Sequence, residues 1–247
     1  MKTVVRLLLF ACMLLMAALL HGQSGDTAEA VVSRYMKLMN YEALPKDMML
    51  EITSKLVNNV RPDDTMVVRR WFAWPGSHRV EVWEGDSLSD AWHNDGHKSF
   101  RRYDGAKHCW IDVSEIYYFD FVMGYDFRGS LFHRKTNGMV LRYGGERLFD
   151  GHRVRVVRAR VPGMYDRDYM FEESSGLLFL FVELDSSYGD DKPLEENHVD
   201  WRSIEEYLPV GGSLVVSKEH YQHHGLRTEA THTPRLAPFD KRLFEQD

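Results

Sequence analysis

Residues Leu177–Leu184 restrict the fold more than any other part of the chain. They read LLFLFVEL. Side chains alternate along an extended strand, so Leu177, Phe179 and Phe181 take one face while Leu178, Leu180, Val182 and Leu184 take the other. A half-exposed antiparallel strand alternates apolar with polar residues; here both faces are apolar, so each needs its own apolar environment. A packed helix can supply one. The other is more core, a partner, or an apolar ligand held in a concavity. The preceding runs YGGERLF, HRVRVVRARV and YDRDYMFEE are separated by Asp150-Gly151, Pro162-Gly163 and Ser174-Ser175-Gly176. Such turn residues between β-rich runs predict consecutive antiparallel strands, a meander.

Residues 1–23 stand apart from this pattern. Lys2 and Arg6 precede the continuous apolar run Leu7–Leu20, and small and polar residues follow at His21-Gly22-Gln23-Ser24, the order of an export signal. The run is short for a membrane span, which needs about 20 apolar residues, and too few apolar residues precede Cys12 for a lipoprotein signal. The expectation is an exported protein whose residues 24–247 form one domain. Losing Lys2 and Arg6 makes the net charge of −6 two units more negative. An acidic domain lacks the basic face that nucleic acid or anionic lipid surfaces require. Cys109 is then the one cysteine left, so no internal disulfide forms and stability rests on the core.

Asp26-Thr27-Ala28-Glu29 has the form of a capping box, and Val31, Val32, Tyr35, Met36, Leu38 and Met39 recur at the three- and four-residue spacing of one helical stripe. The helix is expected to end near Asn40. Beyond Met49 the signals are strands: Met66–Trp74 up to Pro75-Gly76, Arg79–Trp83 with Val80 and Val82 on one face, a hairpin about Asn94-Asp95-Gly96, and Lys107–Val113 after Asp104-Gly105. Ser114–Phe119 reads as a short helix, Ser186–Asn197 as an acidic loop, and His198–Tyr207 and Ser213–Tyr221 as two further strands. About nine or ten strands and one firm helix give a mainly β (α+β) fold. It is a strongly curved antiparallel sheet, or incomplete β-barrel, wrapped over a helix.

Catalytic patterns are weak. The pairs His93/His97 and His220/His224 lack a third ligand at zinc-site spacing, so no metal and no cofactor is expected. No GxSxG elbow supports a serine nucleophile, and Cys109 inside a β run reads as a small buried hydrophobe. Asp166-Arg167-Asp168 opens a strand, where its charges are expected to be solvated.

Several features recur in an order that resembles the outer-membrane lipoprotein-sorting proteins of the LolA/LolB-like superfamily. They are the N-terminal helix, Trp74-Pro75-Gly76 before His78-Arg79-Val80-Glu81, Tyr103-Asp104-Gly105 before Trp110, and Tyr143-Gly144-Gly145-Glu146 with Asp150-Gly151. Glu172–Leu178, Tyr207 with Val210-Gly211-Gly212, and Pro238-Phe239-Asp240 with Leu243-Phe244 continue it. The resemblance implies a half-barrel whose apolar cavity holds acyl chains in the periplasm of a Gram-negative-type envelope. Its partners would be a lipid or lipidated protein. The expected lining residues are Phe72, Trp74, Val80, Val82, Phe171, Phe179 and Phe181. Three readings follow: a non-catalytic carrier of lipid-like cargo, an envelope sensor or scaffold binding a protein on the same fold, and, last, a metal-dependent enzyme.

Overall fold

A computed structural model describes residues 27–74, 76–95, 100–104, 109–113, 128–160, 166–184, 200–223 and 225–244. The export segment, the expected helix at 114–119 and the acidic loop at 186–197 lie outside the described residues, as do His97 and His224.

The helix α1 spans Ala28–Met39. Its cap is Thr27, whose side chain accepts from the Ala30 N–H at 3.1 Å, one residue beyond the Asp26 expected from the capping-box pattern. Either residue type satisfies an orphan N–H at a helix start. Asn40 ends the helix at φ 48° and donates its own N–H to Met36. Most of the stripe read from the sequence is buried: Val32 and Met39 are fully enclosed, beside Val31 and Tyr35, with Met36 partly buried, but Leu38, at the edge of the stripe, is exposed.

Thirteen strands form one antiparallel sheet among the described residues. They are β1 (Met48–Asn58), β2 (Met66–Ala73), β3 (Ser77–Glu84), β4 (Ser87–Asp95), β5 (Phe100–Asp104), β6 (Cys109–Val113), β7 (Val140–Phe149), β8 (His152–Arg160), β9 (Asp166–Glu172), β10 (Leu178–Leu184), β11 (Trp201–Val210), β12 (Ser213–His223) and β13 (Leu226–Pro238). The strand count exceeds the nine or ten read from the sequence, and β13 was missed altogether. Pro234 argues against a strand, yet β12 pairs with β13 only as far as Thr231, so Pro234 lies where that side of β13 is open.

The order across the sheet is β6-β5-β4-β3-β2-β1-β13-β12-β11-β10-β9-β8-β7. Two meanders thus join through β1 and β13, and the sheet is curved and unclosed around α1. Strands adjacent in sequence, β6 and β7, are its opposite edges. The described part of the chain between them, Arg128–Met139, lies over α1 as a strap. Leu131 packs in the same core as Val31, Tyr35 and Met39, and Arg134 pairs with Glu29 of α1 at 2.6 Å. On the sheet side this core holds Val157, Ala159, Tyr169 and Phe171. Each enclosed side chain of this size contributes about 1.5–3 kcal/mol.

The far end of α1 is tied to the β11–β12 turn. Asn40 donates its side-chain amide to the Gly212 carbonyl at 3.0 Å, and Ser213 donates its hydroxyl to the Asn40 carbonyl at 2.8 Å. Gly211 in that turn has φ +57°, and a Cβ there would stand 2.9 Å from Leu236, so only glycine suits the position.

Candidate ligand site

Strand β10 does not keep the simple alternation expected of it. Pairing with β9 skips between Leu178 and Leu180, a β-bulge that leaves Phe179 unpaired. A bulge inserts one residue and reverses the parity beyond it. Leu177, Leu178 and Phe181 consequently pack on the helix side, while Phe179, Leu180, Val182 and Leu184 pack together on the other. The requirement for two apolar environments holds, but Phe179 shares a face with Leu180 and not with Phe181. The outer cluster of Val154, Val156, Met170, Leu180 and Val182 is buried.

Beside the bulge the wall opens. Strands β10 and β11 pair through three residue pairs only, Leu180–Ser203, Phe181–Arg202 and Val182–Trp201. Towards Leu178 they diverge, with the Tyr207 hydroxyl donating to the Leu178 carbonyl at 2.9 Å across the gap. A cleft of about 690 Å³ lies there. Its apolar wall comes from Leu177, Leu178, Phe179, Leu180, Trp201 and Ile204, and Glu172, His152, Glu205 and Arg227 stand at its polar margin. This is within the size range of pre-formed ligand pockets. Phe179 is fixed there by the His152 ring stacked at 4.6 Å and by Phe149 at 6.3 Å. His152 is in turn held by Glu172 at 3.3 Å, whose carboxyl is kept below its usual range by hydrogen bonds from Ser175 and His152.

A second, inner cavity of about 70 Å³ lies between strap, helix and sheet and shares Leu178 and Ile204 with the cleft. Its wall carries Arg70, Arg128, Arg167, Arg202, Glu219 and His232 among apolar residues that include Phe181. Glu219 is 1% exposed and receives both ends of the Arg202 fork. Burial alone would raise its pKa, but Arg202 and the His232 hydrogen bond outweigh this and hold it well below the carboxylate range. His232 bridges Glu219 at 3.0 Å and Ser54 at 2.7 Å, and burial lowers its pKa despite Glu219. The Ser54–His232–Glu219 chain has the residue types of a hydrolytic triad. However, Ser54 is fully buried, accepts from Arg70 at 3.3 Å, and does not line the cavity.

Of the residues expected to line a cavity, Phe179 lines the cleft and Phe181 the inner cavity. Phe171 is buried against Tyr35 at 5.4 Å. Phe72 and Trp74 pack with Leu50, Ile52 and Val215, and Val80 and Val82 with Leu56, Val68 and Trp92.

The expectation that Asp166-Arg167-Asp168 is solvated fails. Strand β9 is central, and Arg167 and Asp168 are 7% and 4% exposed. Asp168 accepts from Arg158 at 2.7 and 2.9 Å on one neighbouring strand, and Arg167 reaches Glu183 on the other. The inner arginines and Glu219 were missed by sequence reasoning, although Glu219 shares the inward parity of Val215 and Ser217 on β12. His220 and His223 pair with Glu205 and Asp200, and among the described residues no group of three side chains is placed to hold a metal ion.

The class so defined is a half-barrel open on one side, strapped over its helix, with a cleft through its wall. No family model matches the sequence, and no curated protein is similar to it by sequence. Solved structures do share the architecture. A DUF1329 family protein from Desulfovibrio piger is 11% identical, with a TM-score of 0.61 over 90% of this chain and 98% of that one. A LolA superfamily protein from Nitrosomonas europaea is 10% identical, with a TM-score of 0.60 over 90% and 99%. A putative outer membrane lipoprotein-sorting protein domain from Vibrio parahaemolyticus is 10% identical, with a TM-score of 0.58 over 88% and 97%. The chain has the LolA/LolB-like fold.

Proposed function

We propose that the protein is a non-catalytic binding or carrier protein of the cell envelope, exported by residues 1–23, that holds a lipid-like or lipid-modified ligand by its acyl chain. The observation that carries this reading is the cleft between β10 and β11, with its wall of leucines, Phe179, Trp201 and Ile204. Each methylene removed from water contributes about 0.8 kcal/mol, so a chain placing about ten methylenes there would gain about 8 kcal/mol before the cost of association. Binding on that scale needs no specific polar contact and leaves the chain releasable, as a carrier requires. The fold supports the reading by analogy, since one similar structure is described as an outer membrane lipoprotein-sorting domain.

Mass spectrometry of organic extracts from protein purified out of its native envelope tests the proposal. A co-purifying acyl lipid is the expected result. Protein that carries no lipid and excludes fluorescent fatty acids would refute it, and a co-purifying polypeptide in place of lipid would favour the scaffold reading.

A further inference from the structure

We propose that Leu178 and Ile204 close the inner end of the cleft as a stop for the terminal methyl of the bound chain, and so set the length of acyl chain that the protein accepts. That a chain lies in the cleft rests on the acyl-binding reading above; its direction and its limit rest on these two residues.

Leu178 and Ile204 are the partition between the two spaces, since each lines both the cleft and the inner cavity. Both are buried, and both belong to the helix-side core with Tyr35, Leu131 and Phe171. The partition is held from each strand. Leu178 pairs with Phe171 across β9 and β10, and its carbonyl accepts from the Tyr207 hydroxyl at 2.9 Å, which bridges the place where β10 and β11 diverge. Ile204 pairs with Glu219 across β11 and β12. Directly opposed residues of an antiparallel pair share a face, as do alternate residues of one strand. Ile204 therefore stands on the same face as Glu219 and Arg202, an apolar side chain set between the cleft and an ion pair.

What lies behind the partition is unsuited to a hydrocarbon end. Glu219 is buried and receives both ends of the Arg202 fork, and His232 holds the same carboxylate at 3.0 Å. Charges withdrawn from water are stable only while their partners stay in place, and a methyl group driven among them offers no hydrogen bond in exchange. The space is also small, about 70 Å³ against about 690 Å³ for the cleft. A chain laid against Phe179 and Trp201 thus ends where it meets Leu178 and Ile204, and its polar head is left towards Glu172, His152 and Arg227 at the margin. The methyl end goes in first because the closed end of the cleft is apolar and the ions behind it are already paired.

Saturated fatty acids of increasing length, displacing cis-parinaric acid from the full chain, test the stop. Affinity should rise about fourfold for each added methylene, the worth of one methylene withdrawn from water, and then cease to rise at a definite length. Ile204→Ala and Leu178→Ala cut the partition back, so each should move that break to longer chains by about two or three carbons, and Ile204→Val by about one, the number each truncation removes. A protein whose longer chains merely run out into solvent would show the same break in every variant. Direction is read on the wild type: an acid carrying ¹³C in its terminal methyl should show cross-relaxation to the Leu178 and Ile204 methyl groups, and one carrying it next to the carboxyl should not. A break unmoved in all three variants, or contacts from the carboxyl end in place of the methyl end, would overturn the stop and leave acyl binding intact. Absence of binding at every length would overturn the acyl-binding reading and the stop with it. Should the alanine variants not fold, Ile204→Val and the wild-type contacts still decide it.

Discussion

Truncating the neighbours Phe179 and Leu180 should separate stability from ligand binding, because the bulge in β10 gives the two residues the same face but different surroundings. Leu180 is buried among Val154, Val156, Met170 and Val182, all within 5% exposure. Its backbone is paired on both sides, to β9 through Met170 and to β11 through Ser203. A void there cannot close without dragging two ladders, so Leu180→Ala should cost in the middle or upper part of the usual range of about 2–5 kcal/mol. Phe179 is unpaired at the bulge and only partly buried, facing the cleft. Full burial of such a ring is worth about 1.5–3 kcal/mol, so partial burial puts Phe179→Ala near about 1 kcal/mol. The order should reverse for ligand, since Phe179 presents its ring to the cleft. Urea midpoints and titration with a fluorescent fatty acid, run on both variants, measure the two quantities. Equal large destabilisation with unaltered probe affinity in Phe179→Ala would show that the ring is ordinary core and that the cleft is not where an acyl chain lies.

Tyr207→Phe removes the hydroxyl that bridges β11 to the Leu178 carbonyl. It should cost about 0.5–1.5 kcal/mol and speed amide exchange at the Leu178 end of β10 more than at its Val182 end. Gly211→Ala forces a side chain into φ +57° against Leu236 and Pro45; thermal unfolding should show a loss of about 1–2 kcal/mol from the backbone alone. Stability should fall on acidification in two stages. The pKa of His232 is lowered by folding, so the unfolded chain takes up the proton first and stability drops as pH falls below about 6.5. The pKa of Glu219 is also lowered, so its contribution is present above about 4.3 and is lost as pH falls further, towards its folded value. Urea midpoints across pH should show the first stage vanish in His232→Gln; an unchanged profile would mean that His232 does not titrate differently on folding.

Much of the fold was legible because it is local. The stripe of α1, the turns at Asp150-Gly151 and Gly211-Gly212, and the runs that became β7 to β10 each carry their signal within a few residues, and the structure places elements there. What failed was long-range. The parity of β10 could not be read beyond Phe179, because a bulge is defined by the partner strand and Leu-Leu-Phe-Leu carries no residue that marks one. Strand β13 hid behind Pro234, whose tolerance depends on where β12 stops pairing.

The inner cavity was illegible for a related reason. Its arginines come from segments that sequence order separates, and charged residues on strands read as solvated unless the strand is known to be central. Only the tertiary fold brings them together: the strap at Arg128–Met139 packs on the helix side of the sheet, and this delivers Arg128 to Phe72 and into the same wall as Arg167 and Arg202. The polar interior also bears on the apolar cavity implied by resemblance. Concave positions next to Leu178 and Ile204 carry Arg202 and Glu219, so the helix side of the sheet is divided between hydrocarbon and ions.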